Sequence, residues 1–157
     1  MQCTVVSIYE PKFSLKIYRP LFSSRVAAGF PSPAEHYIEG RINLNEILIE
    51  HQLATFFIRV IGDSMSPEIC EGELLVVDRM ADPANRDIVV ARIGDDLCVK
   101  RLRVFPDKTV YLMSENLVYQ PILLTPEMDY EIWGVVLHSI KSFRKSSVRK
   151  NSKGDRR

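Results

Sequence analysis

The sequence predicts a mainly β domain behind an extended N-terminal arm, on three observations. Short apolar runs rich in Val, Ile, Leu and Phe recur through the middle of the chain, many with the alternation of a half-buried strand. Segments carrying Gly, Pro, Asp and Asn separate those runs. Helical character is confined to one short stretch. Many short strands with little helix indicate a compact β fold.

The first zone, residues 1–33, has no sustained helical or strand period and carries Pro11, Pro20, Pro31 and Pro33 with the small residues of "SSRVAAGF". It reads as an extended, adaptable arm. The body, residues 34–143, opens with "NLNEILIEH", a short helix with Asn43 as N-cap and Glu46 three residues on. Strand-like runs follow: "TFFIRVI", "ELLVVD", "DIVVARI", "LCVKRLRV", "TVYLM" and "YEIWGVVLHSI". The joint from Ile93 to Leu97, with Gly94 at its centre, has the form of a tight hairpin. Residues 144–157 form a basic tail with too few large apolar residues to pack.

A chain of 157 residues, 46% hydrophobic and 26% charged, supports one domain with a real core and has the composition of a soluble protein. No apolar run approaches a membrane span, and the N-terminus lacks the pattern of a signal peptide. Cys3, Cys70 and Cys98 are odd in number and at no metal-like spacing, which fits reduced thiols in a cytoplasmic protein rather than a disulfide framework or zinc site. The net charge of +1 hides an asymmetry: residues 141–157 hold eight Lys/Arg against Asp155, leaving 13 basic and 19 acidic side chains in the rest.

The turn Gly62-Asp63-Ser64 lies between two strand-like runs. A turn serine usually hydrogen-bonds its own backbone, and a hydroxyl at neutral pH needs a base before it is a nucleophile. His36, His51 and His138 sit in no recognisable triad setting and read as surface or satisfied structural histidines. Lysine is the other option. An amine accepts a proton only when uncharged, a state that burial among apolar neighbours favours. In "LCVKRLRV" strand alternation puts Lys100 on one side with Cys98 and Leu102, and Arg101 and Arg103 on the other. An isolated lysine in such a run more often snorkels from a sheet edge.

The segments "FPSPAEHYIEGRINLNEILIEH", "GDSM…EGELLVVD", "DIVVARIGDDLCVKRL" and "EIWGVVLHSIK" together resemble the UmuD/MucA family of mutagenesis proteins, short relatives of LexA and the phage repressors. The resemblance runs from about Pro20 to Ile140. It implies a LexA/UmuD-like peptidase fold, with the serine of "GDSM", Ser64, as nucleophile and the lysine of "VKRL", Lys100, as general base. It places self-cleavage between Ala28 and Gly29 in "AGFPSP". Small residues there suit a tight cleft, Val26 offers an apolar anchor, and the prolines that follow oppose a helix. The backbone at Asp63 and Ser64 is the expected oxyanion donor. No metal or organic cofactor is needed. The partners implied are a second copy of the chain in a homodimer, a RecA filament on single-stranded DNA that stimulates cleavage in the SOS response, and a UmuC-type Y-family translesion polymerase. DNA is then met indirectly, through the complex. The loop "MSPEICEGE" is about one residue shorter than in the best-known member, and the basic tail lies outside the family pattern.

Three rivals share some of these features. A LexA-type repressor needs a helix-turn-helix before the scissile bond, and the 28 residues preceding Gly29 carry prolines and no helical period. A membrane signal peptidase can use Ser/Lys chemistry but needs an anchor. An inert β-rich binding module has no need of Ser64, Lys100 and Ala28-Gly29 together.

Overall fold

The computed structural model describes residues 5–9, 16–22 and 38–144. Among these the chain is mainly β. In chain order the elements are β1 (Val5–Tyr9), β2 (Arg19–Phe22), β3 (Ile38–Ile42), α1 (Leu44–Leu48), β4 (Thr55–Val60), β5 (Leu74–Asp78), β6 (Ile88–Ile93), β7 (Asp96–Val104), β8 (Val110–Met113), β9 (Ile122–Leu124) and β10 (Tyr130–Ile140). An eight-stranded sheet runs β1-β4-β5-β10-β6-β7-β8-β9, and β2 and β3 form a separate two-stranded ribbon. Every pairing is antiparallel. Two of the strands, β1 and β2, fall within the segment read from sequence as an extended arm.

Helix α1 begins where its cap was expected. Asn43 is buried and accepts a hydrogen bond from the Asn45 N–H at 3.2 Å, satisfying one of the donors a helix start leaves open. The helix ends at Leu48, short of the nine-residue stretch read from sequence. The hairpin between β6 and β7 closes with Ile93 opposite Asp96. Gly94, at φ +57°, takes the left-handed position that a two-residue loop of this kind asks of glycine.

The long strand β10 bridges the two halves of the sheet, pairing with β5 on one side and β6 on the other. Its register shifts at Ile132/Gly134, and Gly134 packs so closely on β5 that an added Cβ would lie 2.7 Å from Val77 Cγ1. Two apolar clusters take alternate residues of β6 and β7 and so lie on opposite faces of the sheet. One gathers Ile58, Leu75, Val77, Val90 and Val99 with Met65 and Ile69 from the loop after Ser64. The other gathers Val89, Ala91, Cys98, Leu102, Leu112 and Leu124. Met65 and Ile69, both 2% exposed, fix that loop to the core and so fix the turn just ahead of it.

The end of β5 is held by a buried carboxylate. Asp78, wholly buried, accepts from the Met80 N–H at 2.7 Å and the Ala81 N–H at 3.2 Å through Oδ1, and lies 2.6 Å from His51 Nδ1 through Oδ2. Glu50 brings a further carboxylate near this pair. The hydrogen-bonding capacity of Asp78 is taken by the chain itself, so the group works as a staple between the 50–54 loop and the strand end.

Candidate active site

Ser64 lies in the turn that leaves β4. The Gly72 N–H donates to Val60 O and the Val60 N–H to Glu73 O, closing the loop at its base. Within it the Ser66 N–H donates to Asp63 O at 3.0 Å and the Ile69 N–H to Met65 O at 2.8 Å. Gly62, at φ +82°, supplies the left-handed residue that swings the chain into the turn. Ser64 is left partly exposed beside two buried anchors.

Lys100 comes from the middle of β7, opposite Val89 of β6. The alternation expected from sequence holds: Cys98, Lys100 and Leu102 are 1%, 4% and 6% exposed, while Arg101 and Arg103 are partly exposed. Arg101 pairs with Glu115 and also donates to Arg86 O at 2.7 Å. Lys100 Nζ donates instead to Ser64 Oγ at 2.9 Å. Thus a lysine buried among apolar side chains has as its hydrogen-bond partner the hydroxyl of a turn serine 36 residues away in sequence.

The loop from β8 to β9, residues 114–121, forms the other wall. The Asn116 N–H donates to Ser64 O at 3.0 Å, and Asn116 Nδ2 reaches Asp63 O at 3.3 Å. The Tyr119 hydroxyl donates to Asp63 Oδ1 at 2.5 Å, and its ring centre lies 5.8 Å from Lys100 Nζ. The Asp63 carboxylate holds the Tyr119 phenol above the usual tyrosine range, because ionising the phenol would end that hydrogen bond and set two negative charges side by side. Together Asn116 and Tyr119 clamp the Asp63-Ser64 turn against Lys100. A cleft of about 360 Å³ opens beside the lysine, lined by Lys100, Ser114, Val118, Tyr119, Gln120, Pro121 and Ile122. Of the lining residues Val118 is 83% exposed, and Leu117 beside it in the loop is 90% exposed.

Of the residues singled out from sequence, the structure brings Ser64, Asp63 and Lys100 together. Ala28 and Gly29 lie outside the described residues, as does His36. His51 is engaged with Asp78 and is no partner of Ser64. Sequence reasoning left Asn116, Tyr119 and Ser114 within turn material. Replacing Tyr119 by Phe keeps the ring and removes the tether to Asp63. We expect any reaction of Ser64 with a small phosphonofluoridate to slow about tenfold, at an unchanged thermal midpoint, because small misplacements of reacting groups are costly. A rate within twofold of the wild type would free the turn from dependence on Tyr119.

A mainly antiparallel β fold that holds a lysine in hydrogen-bond contact with a turn serine has the architecture expected of a LexA/UmuD-like peptidase domain. Comparison with known proteins gives the class directly: the chain belongs to the Peptidase S24-like family, whose model matches residues 20–137. It is 39% identical over 138 residues to Protein MucA of Escherichia coli, covering 86% of this chain and 93% of that protein. It is 42% identical over 136 residues to Protein ImpA of Shigella flexneri, covering 86% and 92%. A more distant relative is the LexA repressor of Bordetella avium, 35% identical over 119 residues that make up 75% of this chain and 55% of the repressor. No helix among the described residues is long and apolar enough to cross a membrane.

Proposed function

We propose that this chain is a self-cleaving serine peptidase that cuts its own arm between Ala28 and Gly29, with Ser64 as nucleophile and Lys100 as general base. The observation that carries the reading is the 2.9 Å contact between a 4%-exposed Lys100 Nζ and Ser64 Oγ. An uncharged amine at that distance can take the serine proton.

In the reacting state the hydrogen bond reverses, with the Ser64 hydroxyl donating to the free Nζ lone pair. Oγ attacks the Ala28 carbonyl carbon as its proton passes to Nζ. The backbone N–H groups at Asp63 and Ser64 are the candidates to hold the resulting oxyanion. Collapse breaks the bond between the Ala28 carbonyl carbon and the Gly29 nitrogen, and the Lys100 ammonium gives its proton to that nitrogen. Water, activated by the freed lysine, then hydrolyses the ester on Ser64 and restores the hydroxyl. Every step uses side chains, backbone and water of the chain's own cleft.

The biological role follows the resemblance to the UmuD/MucA proteins and the similarity to MucA and ImpA. Residues 1–33 serve as the arm that carries the cut, 34–143 as the peptidase-like domain and 144–157 as a basic tail. A RecA filament on single-stranded DNA accelerates cleavage during the SOS response in the cytoplasm. The trimmed homodimer then joins a UmuC-type Y-family polymerase as its accessory in error-prone translesion synthesis. Residues 1–28 hold Lys12, Lys16, Arg19 and Arg25 against Glu10, so trimming takes the net charge from +1 to −2. That change alters how the product meets a charged partner.

Alkaline incubation tests the peptidase reading without any filament. Full-length protein should convert slowly to fragments 1–28 and 29–157 by intact mass, at a rate that climbs with pH and then levels off, as a reaction that needs an unprotonated base requires. Cuts elsewhere, or a rate that falls as pH rises above neutral, would count against the assignment.

A further inference from the structure

Ser114 takes no part in the steps above, yet its setting is distinctive. It directly follows β8, whose ladder with β7 pairs Leu102 with Leu112 and Arg101 with Met113. Continuing that antiparallel register by one residue sets Ser114 opposite Lys100. Directly opposed residues project to the same face, with Cβ atoms about 4.5–5.5 Å apart. Both residues line the same cleft. Among the described residues, Ser114 Oγ is the buried side-chain polar atom that has no hydrogen-bond partner. A hydroxyl kept dry without a partner is unfavourable, so its presence beside the lysine calls for a partner that arrives.

The proposed reaction supplies one. An ammonium has three N–H donors, and Lys100 Nζ directs one hydrogen bond to Ser64 Oγ. As Oγ bonds to the substrate carbonyl carbon its electron density is drawn away, and the newly formed ammonium loses its acceptor when it most needs one. We propose that Ser114 is a positioning residue for Lys100, its Oγ accepting a hydrogen bond from the ammonium formed as Ser64 attacks. The contact also keeps Nζ in place until the proton leaves for the Gly29 nitrogen. This inference rests on the self-cleavage reading.

The pH dependence separates this role from packing. An ammonium at rest can use Ser114 in the starting state and the transition state alike, so little is gained. From an uncharged amine at rest the contact appears only along the reaction, where it accelerates the step. Other groups near Nζ are common to wild type and variant. Tyr119 faces it from the loop, Asp63 is tied to Tyr119, and Cys98 shares its strand face; Val89 across on β6 carries no charge, and Arg101 and Glu115 are engaged with each other.

Self-cleavage of full-length wild type, Ser114→Ala and Ser114→Thr, followed by intact mass from neutral pH to the plateau, tests the proposal. Ser114→Ala should lose about tenfold on the plateau and distinctly less near neutrality, an effect the size of one hydrogen bond to a charged group. Its thermal midpoint should not fall, since the change removes an unpartnered buried hydroxyl. Ser114→Thr, which keeps the hydroxyl, should restore the plateau. An unchanged plateau in Ser114→Ala, or a loss uniform across pH, overturns the proposal while leaving the self-cleavage reading intact. Absence of Ser64-dependent cleavage in the wild type overturns that reading, and this inference with it.

Discussion

Ser64→Ala should leave the full-length chain uncut after an alkaline incubation that converts the wild type, a loss of about 10⁴-fold or more, as expected when a nucleophile is removed from a unit of cooperating groups. The fold should persist, because Ser64 is partly exposed and the turn is fixed by Met65 and Ile69 rather than by its hydroxyl. Lys100→Ala should be equally inactive. Lys100→Arg should be inactive too, since a guanidinium stays protonated at any accessible pH and cannot accept the serine proton. Arginine retains the charge and much of the length of lysine, so its failure would show that the site needs an uncharged base there rather than a cation. Cleavage surviving in any of the three, measured by intact mass, overturns the pairing of Ser64 with Lys100 as the chemical unit.

The largest effect on stability is expected at Asp78. Replacing it with Ala removes the acceptor for two backbone N–H groups and the partner of His51 from a wholly buried position. Hydrogen bonds to a charged group contribute about 1.5–3 kcal/mol each and are not additive, so a loss of about 3–5 kcal/mol is expected in urea unfolding. Asp78→Asn should fall between. Its amide oxygen can still accept from Met80 and Ala81, while its NH₂ can donate to an uncharged His51 Nδ1. A change within about 0.5 kcal/mol for the alanine variant, the range usual for featureless surface positions, would remove the staple from any account of the fold.

What could be read ahead of the structure, and what could not, follows from the range of the forces involved. The inward side of "LCVKRLRV" was visible as alternation, because a strand repeats every two residues whatever its neighbours are. Cys98, Lys100 and Leu102 are accordingly buried, although Val99 at 8% is buried as well, which alternation alone does not foretell. That residue belongs to the cluster of Ile58, Leu75 and Val77 on the opposite face, and a strand covered on both faces loses its clean pattern. The meeting of Lys100 with Ser64 was suggested by resemblance, since nothing in a separation of 36 positions along the chain reports a tertiary contact. Strands β3 and β9 escaped notice for simpler reasons. "IEGRI" has a central glycine and is largely exposed, and "ILL" is three residues beside a proline. Ser114, Asn116 and Tyr119 were legible only as loop residues, because their importance depends on a register and on a loop path that only the folded chain supplies.

The ribbon of β2 and β3 has a consequence for the proposed cut. Cleavage between Ala28 and Gly29 would put β1 and β2 on one fragment and β3 to β10 on the other. The severed pieces would still be joined by the ladder from Arg19–Phe22 to Ile38–Ile42 and by that from Val5–Tyr9 to Val60–Phe57. Before the cut those ladders close within a single chain, at the high effective concentration that covalent connection provides; afterwards they become a bimolecular association that dilution can dissolve. Chemistry and release would then be separate events with separate clocks. In the interval the product is nicked but still shaped like its precursor. Once the small fragment departs, β4 becomes an open sheet edge, a row of unpaired backbone groups ready to accept a strand from another chain.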